Sequence, residues 1–522
     1  LSGLLAMCVS VAVFVTVLVA AYAAAWPLAF DKDRILGQVT TGFYPREANS
    51  DRSWVWTGPH AEVTLAGLDR RVPWRWTAVA SVWRPPGVAM PHVIVSVDGV
   101  VVHEHTLTRD DERLEVTIPS RADGAGLGLT LDVVPSFVPS PGDTRQLGIS
   151  ITSMSLEPVG RPGPPRPALF AGVLAAVAMS LGLWLVGVRG VPLLALAMLG
   201  SIGQAWALTR GFAVYGDYAW LVPWLAAGLC AGAVALVWLV DRGRGAPIGA
   251  IARAAVGVSL VACFLKLLVL LHPSMPVGDV LFHAHRFEYV LGGQFYFTSV
   301  APGAFAFPYP ILLYLVSAPF SVFTPDTLGR MELLRIVVTV TDATAAMMLY
   351  WMVVRTLTDA RVAFASVVWY HLMPVTGWIM TWGNLTNAFA QPLGVAALAM
   401  LVALPVDWHR RRSVVALSVV AGAALLAHPS TSAILVTVMA ATAVLYRWRG
   451  GPELRGAARG VWVAAIAAGV GSFVLYYAWF TSTYVTELPR VISEAAVRTD
   501  AAGVAILPRL ALFPRDIVRF FG

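Results

Sequence analysis

Ala168-Leu-Phe-Ala-Gly-Val-Leu-Ala-Ala-Val-Ala-Met-Ser-Leu-Gly-Leu-Trp-Leu-Val-Gly187 runs twenty residues without one charged side chain. A helix of that length rises about 30 Å, the thickness of a bilayer's hydrocarbon core. Just before it stands Arg161-Pro-Gly-Pro-Pro-Arg-Pro167, a stiff linker, and the two together divide the chain into unlike parts. On the C-terminal side apolar runs recur near 190–208, 219–240, 250–271, 308–324, 335–354, 362–379, 385–404, 413–427, 432–446 and 461–480. On the N-terminal side a further apolar run covers 1–26, read as an uncleaved first span rather than a signal peptide. Across all 522 residues the composition is 57% hydrophobic and 13% charged, with mean hydropathy +0.70. Soluble domains carry roughly 25% charge, so most of this surface does not face water. The expectation is a polytopic α-helical membrane protein with roughly 11–12 spans.

Between 27 and 167 the pattern changes. Val93-Ile-Val-Ser-Val-Asp98-Gly99-Val-Val-Val102 alternates around an Asp-Gly pair, the signal of a tight β-hairpin. Leu129 to Val134 and Leu147 to Leu156 read as further strands. Repeated short strands between turns point to an antiparallel, jelly-roll-like β-sandwich.

Charge sets the expected orientation. The net charge of +7 is carried almost wholly by arginine, with Lys32 and Lys266 the only lysines. The arginines cluster in short loops, which is a topology signal rather than a nucleic-acid patch. Arg242 and Arg244, Arg410 to Arg412, and Arg447 to Arg459 mark cytoplasmic loops, placing the sandwich and the loop 272–307 outside the cell membrane. Arg355 and Arg361 also ask for the cytoplasm, which fits only if 308–324 is interfacial or re-entrant. Cys8, Cys230 and Cys263 lie inside apolar runs and read as small packing residues.

The densest chemistry lies in Gly278-Asp279-Val-Leu-Phe-His283-Ala-His285-Arg286-Phe-Glu288-Tyr289. On a helix Asp279 and His283 share a face at i,i+4, His285 and Glu288 pair at i,i+3, and Gly292-Gly293 ends the element. Asp279 with His283 could bind a divalent metal, although no third ligand is evident. A plain amphipathic juxtamembrane helix accounts for the same residues. Asp342 lies mid-span, which makes it either a functional carboxylate or one bonded to Thr339, Thr341 or Thr344. His371, Trp378, Trp382 and Asn384 gather at an expected external turn, suited to sugar recognition or to an aromatic belt. In the sandwich, Trp54, Trp56 and Trp74 could stack on sugar rings or fill the core.

The acidic loop after a span, followed by Tyr296, Phe307-Pro-Tyr-Pro310, Arg335 and His371 to Asn384, resembles the GT-C superfamily of polytopic glycosyltransferases. The resemblance covers roughly 251–522, preceded by accessory helices over 168–250. It implies transfer of a sugar from a polyprenyl-phosphate-sugar donor to a glycan, lipid or protein acceptor outside the membrane. Asp279 would be the base or acceptor-orienting carboxylate. Lipid phosphate and substrate would be bound among His285, Arg286, Glu288, Tyr296, Arg335, Asp342, His371, Trp382 and Asn384. Val280 stands where the superfamily's second acid is familiar. Two other readings fit the residues: a transporter or flippase using Asp342 and the histidines, and a non-catalytic, membrane-anchored glycan binder.

Overall fold

A computed structural model describes residues 2–29, 39–122, 126–210, 216–298, 308–404, 407–487 and 489–490. Phe307 and the residues after 490 therefore lie outside the described residues. The chain forms two compact units, one of residues 1–248 with 271–275, the other of 249–270 with 276–522.

The first unit begins with α1 (Ser2–Ala24) and continues as an antiparallel sheet. Its strands are β1 (Leu28–Ala29), β2 (Thr40–Phe43), β3 (Glu47–Ala48), β4 (Ser53–Leu65), β5 (Trp74–Ser81), β6 (His92–Val97), β7 (Val100–Thr106), β8 (Glu112–Ile118), β9 (Leu127–Val134) and β10 (Ser150–Pro158). The order is β7-β6-β9-β4-β10-β5-β8, with β1 on β10 and β2 and β3 on β4. The thirteen-residue β4 joins the two halves. Val55 and Trp56 pair with β10, whereas His60 to Leu65 pair with β9. The expected sandwich is thus one continuous, barrel-like sheet. Period-two alternation builds its interior: Leu127, Leu129, Leu131 and Val133 of β9 are buried, as are Leu114, Val116 and Ile118 of β8.

The expected hairpin forms as β6 and β7, with Val97 opposite Val100. Asp98 and Gly99 both take positive φ, 51° and 80°, which the two-residue turn of this hand requires. Asp98 also anchors the hairpin. Its carboxylate accepts from Arg70 Nη1 at 2.8 Å, Arg121 Nη1 at 3.1 Å and the Gly128 N–H at 3.0 Å.

Entry to and exit from the sheet converge on Asp69, which is 3% exposed. Its N–H donates to the Tyr22 hydroxyl of α1 at 3.1 Å, and its Oδ2 accepts from the Gly163 N–H at 2.9 Å. Arg71 Nε donates to Oδ1 at 2.7 Å. After the linker come α2 (Arg166–Val186), α3 (Gly190–Thr209) and α4 (Gly216–Arg244). The close of α2 is local chemistry: Gly187 is left-handed and Val188 N–H reaches back to the Leu183 carbonyl.

The second unit contains α5 (Ala250–Leu270), α6 (Val280–Leu291), α7 (Leu312–Ser317), α8 (Thr327–Leu357), α9 (Ala360–Leu372), α10 (Pro374–Thr381), α11 (Leu385–Ala403), α12 (Arg411–Ala427), α13 (Pro429–Arg449) and α14 (Pro452–Leu475). Its later helices pack around Leu401, Trp408, Leu417, Leu435, Met439 and Val461, with alanines between them. Small side chains let such helices approach closely. Among the described residues, nine helices of the whole chain are long and apolar enough to cross a membrane, counting Ala360–Thr381 as one. The run expected at 308–324 is instead the short helix α7 followed by a tight 3₁₀ segment, Ala318–Phe323. Those twelve residues rise only about 20 Å, short of a ~30 Å core. Cys230 and Cys263 are buried as expected; Cys8 is exposed.

Candidate functional site

Helix α6 carries the acidic motif. Val280, His283, Ala284, Phe287 and Val290 form its buried stripe, the i, i+3, i+4, i+7 spacing of an amphipathic helix. It ends as the glycines require, with Gly293 at φ 83°. Asp279 sits immediately before the first turn, exposed, and makes no side-chain capping bond. Its backbone N–H instead faces the Trp382 carbonyl at 3.5 Å. Two left-handed glycines allow that approach. Gly278 lies against the Trp382 carbonyl, and a Cβ on Gly383 would meet the amide nitrogens of Asp279 and Val280 at 2.9 and 2.8 Å. The loop before α6 and the loop after α10 are therefore clasped backbone to backbone.

Arg286 is seven residues after Asp279, on the same side of the helix two turns on. Helical side chains lean toward the N-terminus. Accordingly the guanidinium carbon lies 4.9 Å from the Phe282 ring centroid, with Tyr289 at 5.2 Å and Phe297 at 5.4 Å. Arg286 is 7% exposed, no carboxylate among the described residues pairs with it, and its Nε is buried without a partner. Tyr309, of the Pro-Tyr-Pro element, packs on Phe282 and His283. Burial raises the Tyr309 hydroxyl above its ordinary value, with the Asp279 charge raising it further and Arg286 opposing. Tyr309 thus lies within the fields of both groups. Arg335, on α8, reaches the same loop from another side and donates to the Pro276 carbonyl at 2.9 Å.

Other expected members are placed differently. His283 does not join Asp279. It is 1% exposed, its Nδ1 lies 2.8 Å from the Tyr314 hydroxyl, and its ring also bonds the Gly383 backbone. Burial pushes it down to about 3, so it is neutral near pH 7. The ring is thus engaged by protein groups, and no group of three His, Cys, Asp or Glu suited to a metal occurs among the described residues. Glu288 lies in the field of exposed His285, as the i,i+3 spacing predicts, but makes its hydrogen bonds elsewhere. It accepts from Arg330 Nη1 at 2.7 Å and Thr327 Oγ1 at 2.9 Å. Burial raises the Glu288 carboxyl, but these bonds outweigh it and hold the group below the ordinary range.

Asp342, 1% exposed, is not held by the neighbouring threonines, whose hydroxyls bond backbone carbonyls of their own helix. It accepts from Lys266 Nζ and from the Tyr370 hydroxyl, each at 2.6 Å. His371 Nε2 meets Ser259 Oγ at 3.0 Å. This is a second polar cluster, built from α5, α8 and α9. Trp382 is 64% exposed beside Trp378, whose ring is 5.9 Å away. Asn384 caps the start of α11 by position, without a side-chain capping bond. Tyr296 stacks on Tyr476 at 5.8 Å and lies tilted against Trp479 at 4.7 Å.

In the sheet, Trp74 is wholly buried and its indole N–H donates to the Asp69 carbonyl at 2.7 Å, so it is a core residue and not a sugar platform. Trp56, 7% exposed, packs with Phe137 and Leu147 and donates to Glu47 at 3.3 Å. Trp54 is half-buried against that cluster. The exposed indole here is Trp83, which the expectations did not assign to sugar binding; it lies 5.7 Å from the Phe137 ring. No protein-family model, curated protein or solved structure matches the chain.

Proposed function

We propose that the chain is a membrane glycosyltransferase of GT-C type, which moves a sugar from a polyprenyl phosphate to an acceptor at the outer face of the cell membrane. The observation that carries this reading is the pair Asp279 and Arg286. Among the described residues, one is an exposed carboxylate without a cationic partner, the other an enclosed guanidinium without an anionic one, and they share one side of α6. Two other acids named for this region, Glu288 and Asp342, already have cationic partners. An unpaired buried cation asks for an anion, and a phosphate monoester or diester suits a guanidinium. In the transfer, the acceptor O–H gives its proton to the Asp279 carboxylate as its oxygen bonds the anomeric carbon. The anomeric carbon–oxygen bond breaks, and the electron pair leaves with the polyprenyl phosphate, beside Arg286.

The charge pattern supports the membrane placement. If Leu312–Phe323 does not cross, the clusters Arg242/Arg244, Arg355/Arg361, Arg410 to Arg412 and Arg447 to Arg459 all fall on one side, against Arg286, Arg330 and Arg335 on the other. The 272–307 loop and the sheet then share the other side.

The test uses the full chain in lipid nanodiscs. Decaprenyl phosphate is expected to bind and decaprenol not to. Arg286→Gln should weaken binding about 10- to 100-fold, the range of one charge-assisted bond. Asp279→Asn should bind the lipid normally but transfer no labelled sugar from polyprenyl-phosphate donors. Equal binding of the alcohol, or undiminished transfer by Asp279→Asn, would sink the proposal. Movement of the intact lipid-linked sugar across the bilayer without transfer would favour the flippase instead.

A further inference from the structure

Helices α9 and α10 make one apolar stretch, but it is interrupted at Met373, whose backbone leaves the helical region at φ −67°, ψ 121°. Pro374 follows and brings no N–H to bridge the gap. A span broken in this way has no continuous hydrogen-bond ladder to orient its second half, so tertiary contacts must do so.

Those contacts fall in the last turn before the break. Tyr370 donates to Asp342 Oδ1 on α8, while Lys266 of α5 occupies Oδ2, so each carboxylate oxygen has one donor. The next residue, His371, holds Ser259 of α5. Two consecutive side chains thus pin the end of α9 to two neighbouring helices. Ala255, Ala345, Ala346 and Val367 already pack this junction closely. Burying an ion pair costs desolvation that apolar packing avoids, so filling space is not reason enough for one here. On the far side of the break, eight-residue α10 leads directly to Trp382 and Gly383, the residues that clasp the Asp279 loop and the His283 ring.

We propose that Lys266, Asp342 and Tyr370 are positioning residues: they fix the break in the 360–381 span and so hold Trp382-Gly383 against the Asp279 loop. The catalytic consequence rests on the transfer reading above; the structural coupling does not. Hydrogen exchange on the full chain in nanodiscs reads the coupling directly. Asp342→Asn should speed exchange in 276–284 and 380–386 by about tenfold or more, leaving α12 to α14 within about twofold. Tyr370→Phe removes one hydroxyl and keeps the ion pair, and should speed the same two segments by about threefold. It remains decisive if Asp342→Asn fails to fold. The charge exchange Lys266→Asp with Asp342→Lys keeps an ion pair but leaves Tyr370 no acceptor at 342, so it should match Tyr370→Phe rather than Asp342→Asn. In the transfer assay, Tyr370→Phe should lower kcat and leave KM unchanged. Unaltered exchange in both segments, or acceleration spread evenly over the unit, overturns the coupling. Local acceleration from a wild-type protein that transfers no sugar keeps the coupling and refutes the transfer reading.

Discussion

Removing the Asp98 carboxylate tests whether the β6–β7 hairpin is held by charge or by its turn alone. The Arg70 side chain is 1% exposed, and Asp98 is the carboxylate on its guanidinium, at 2.8 Å. The other acceptors are the carbonyls of Gly126 and Pro119, and Nε is already unpartnered. Asp98→Asn keeps a residue that tolerates the left-handed turn but strands a buried cation, at about 3 kcal/mol. Asp98→Ala adds the strain of a positive φ, bringing the loss to about 4–5 kcal/mol. For a sheet of roughly 130 residues, 3 kcal/mol lowers Tm by about 11 °C. Thermolysin cleavage of the full chain against temperature, followed by fragments within 39–158, measures this midpoint. The pH dependence adds a second check. Burial raises the Asp98 carboxyl, but bonds from Gly128, Arg70 and Arg121 outweigh it and hold the group low. A carboxyl lowered in the folded state contributes stability above its unfolded value near 4 and loses it as pH falls through the folded value. The gap between the wild type and Asp98→Asn should therefore begin to narrow near pH 4 and go on narrowing as pH falls further. Midpoints within about 3 °C of each other at pH 7, or a gap that does not narrow as pH falls from 7 to 3, would refute the reasoning.

Two further substitutions bear on the site itself. Gly383→Ala places a Cβ 2.8 Å from the Val280 nitrogen at a φ of 81°. It should lower transfer at least about tenfold with the sheet's proteolytic midpoint unchanged, since strain of ~1–2 kcal/mol must open the clasp; wild-type activity would show that the clasp is dispensable. Glu288→Gln breaks the pair with Arg330, which is partly solvated, so unfolding should shift by no more than about 1 kcal/mol. Decaprenyl phosphate affinity should be unchanged, and a loss as large as that of Arg286→Gln would mean that Glu288 belongs to the ligand site.

What could be read from the sequence was whatever is decided locally or by composition. Asp98-Gly99 specifies its own turn, and Gly292-Gly293 its own helix end, because the backbone angles needed are ones those residues favour. Apolar runs locate the helices, though not the start of α8, where Gly329, Arg330 and Glu332 interrupt the apolar residues Leu328, Met331, Leu333 and Leu334. Period-two spacing places Trp74 and Trp76 on one face of β5, but which face is interior depends on strands far away. The same limit hid the ion pairs. Lys266 and Asp342 are 76 residues apart, and Glu288 and Arg330 are 42 apart, so no periodicity connects them. Threonines beside Asp342 offered a plausible local partner, yet a serine or threonine in a helix can bond the carbonyl one turn back, and here they do.

Asp69 has a mechanical meaning. The helix that enters the sheet and the linker that leaves it are bonded to the same buried residue, so the sheet is no pendant on a tether. Force applied at its strands would pass into α1 and the start of α2 as rotation of those helices rather than be absorbed by slack in residues 159–165. Whatever the sheet holds, it holds at a set height and angle above that helix pair.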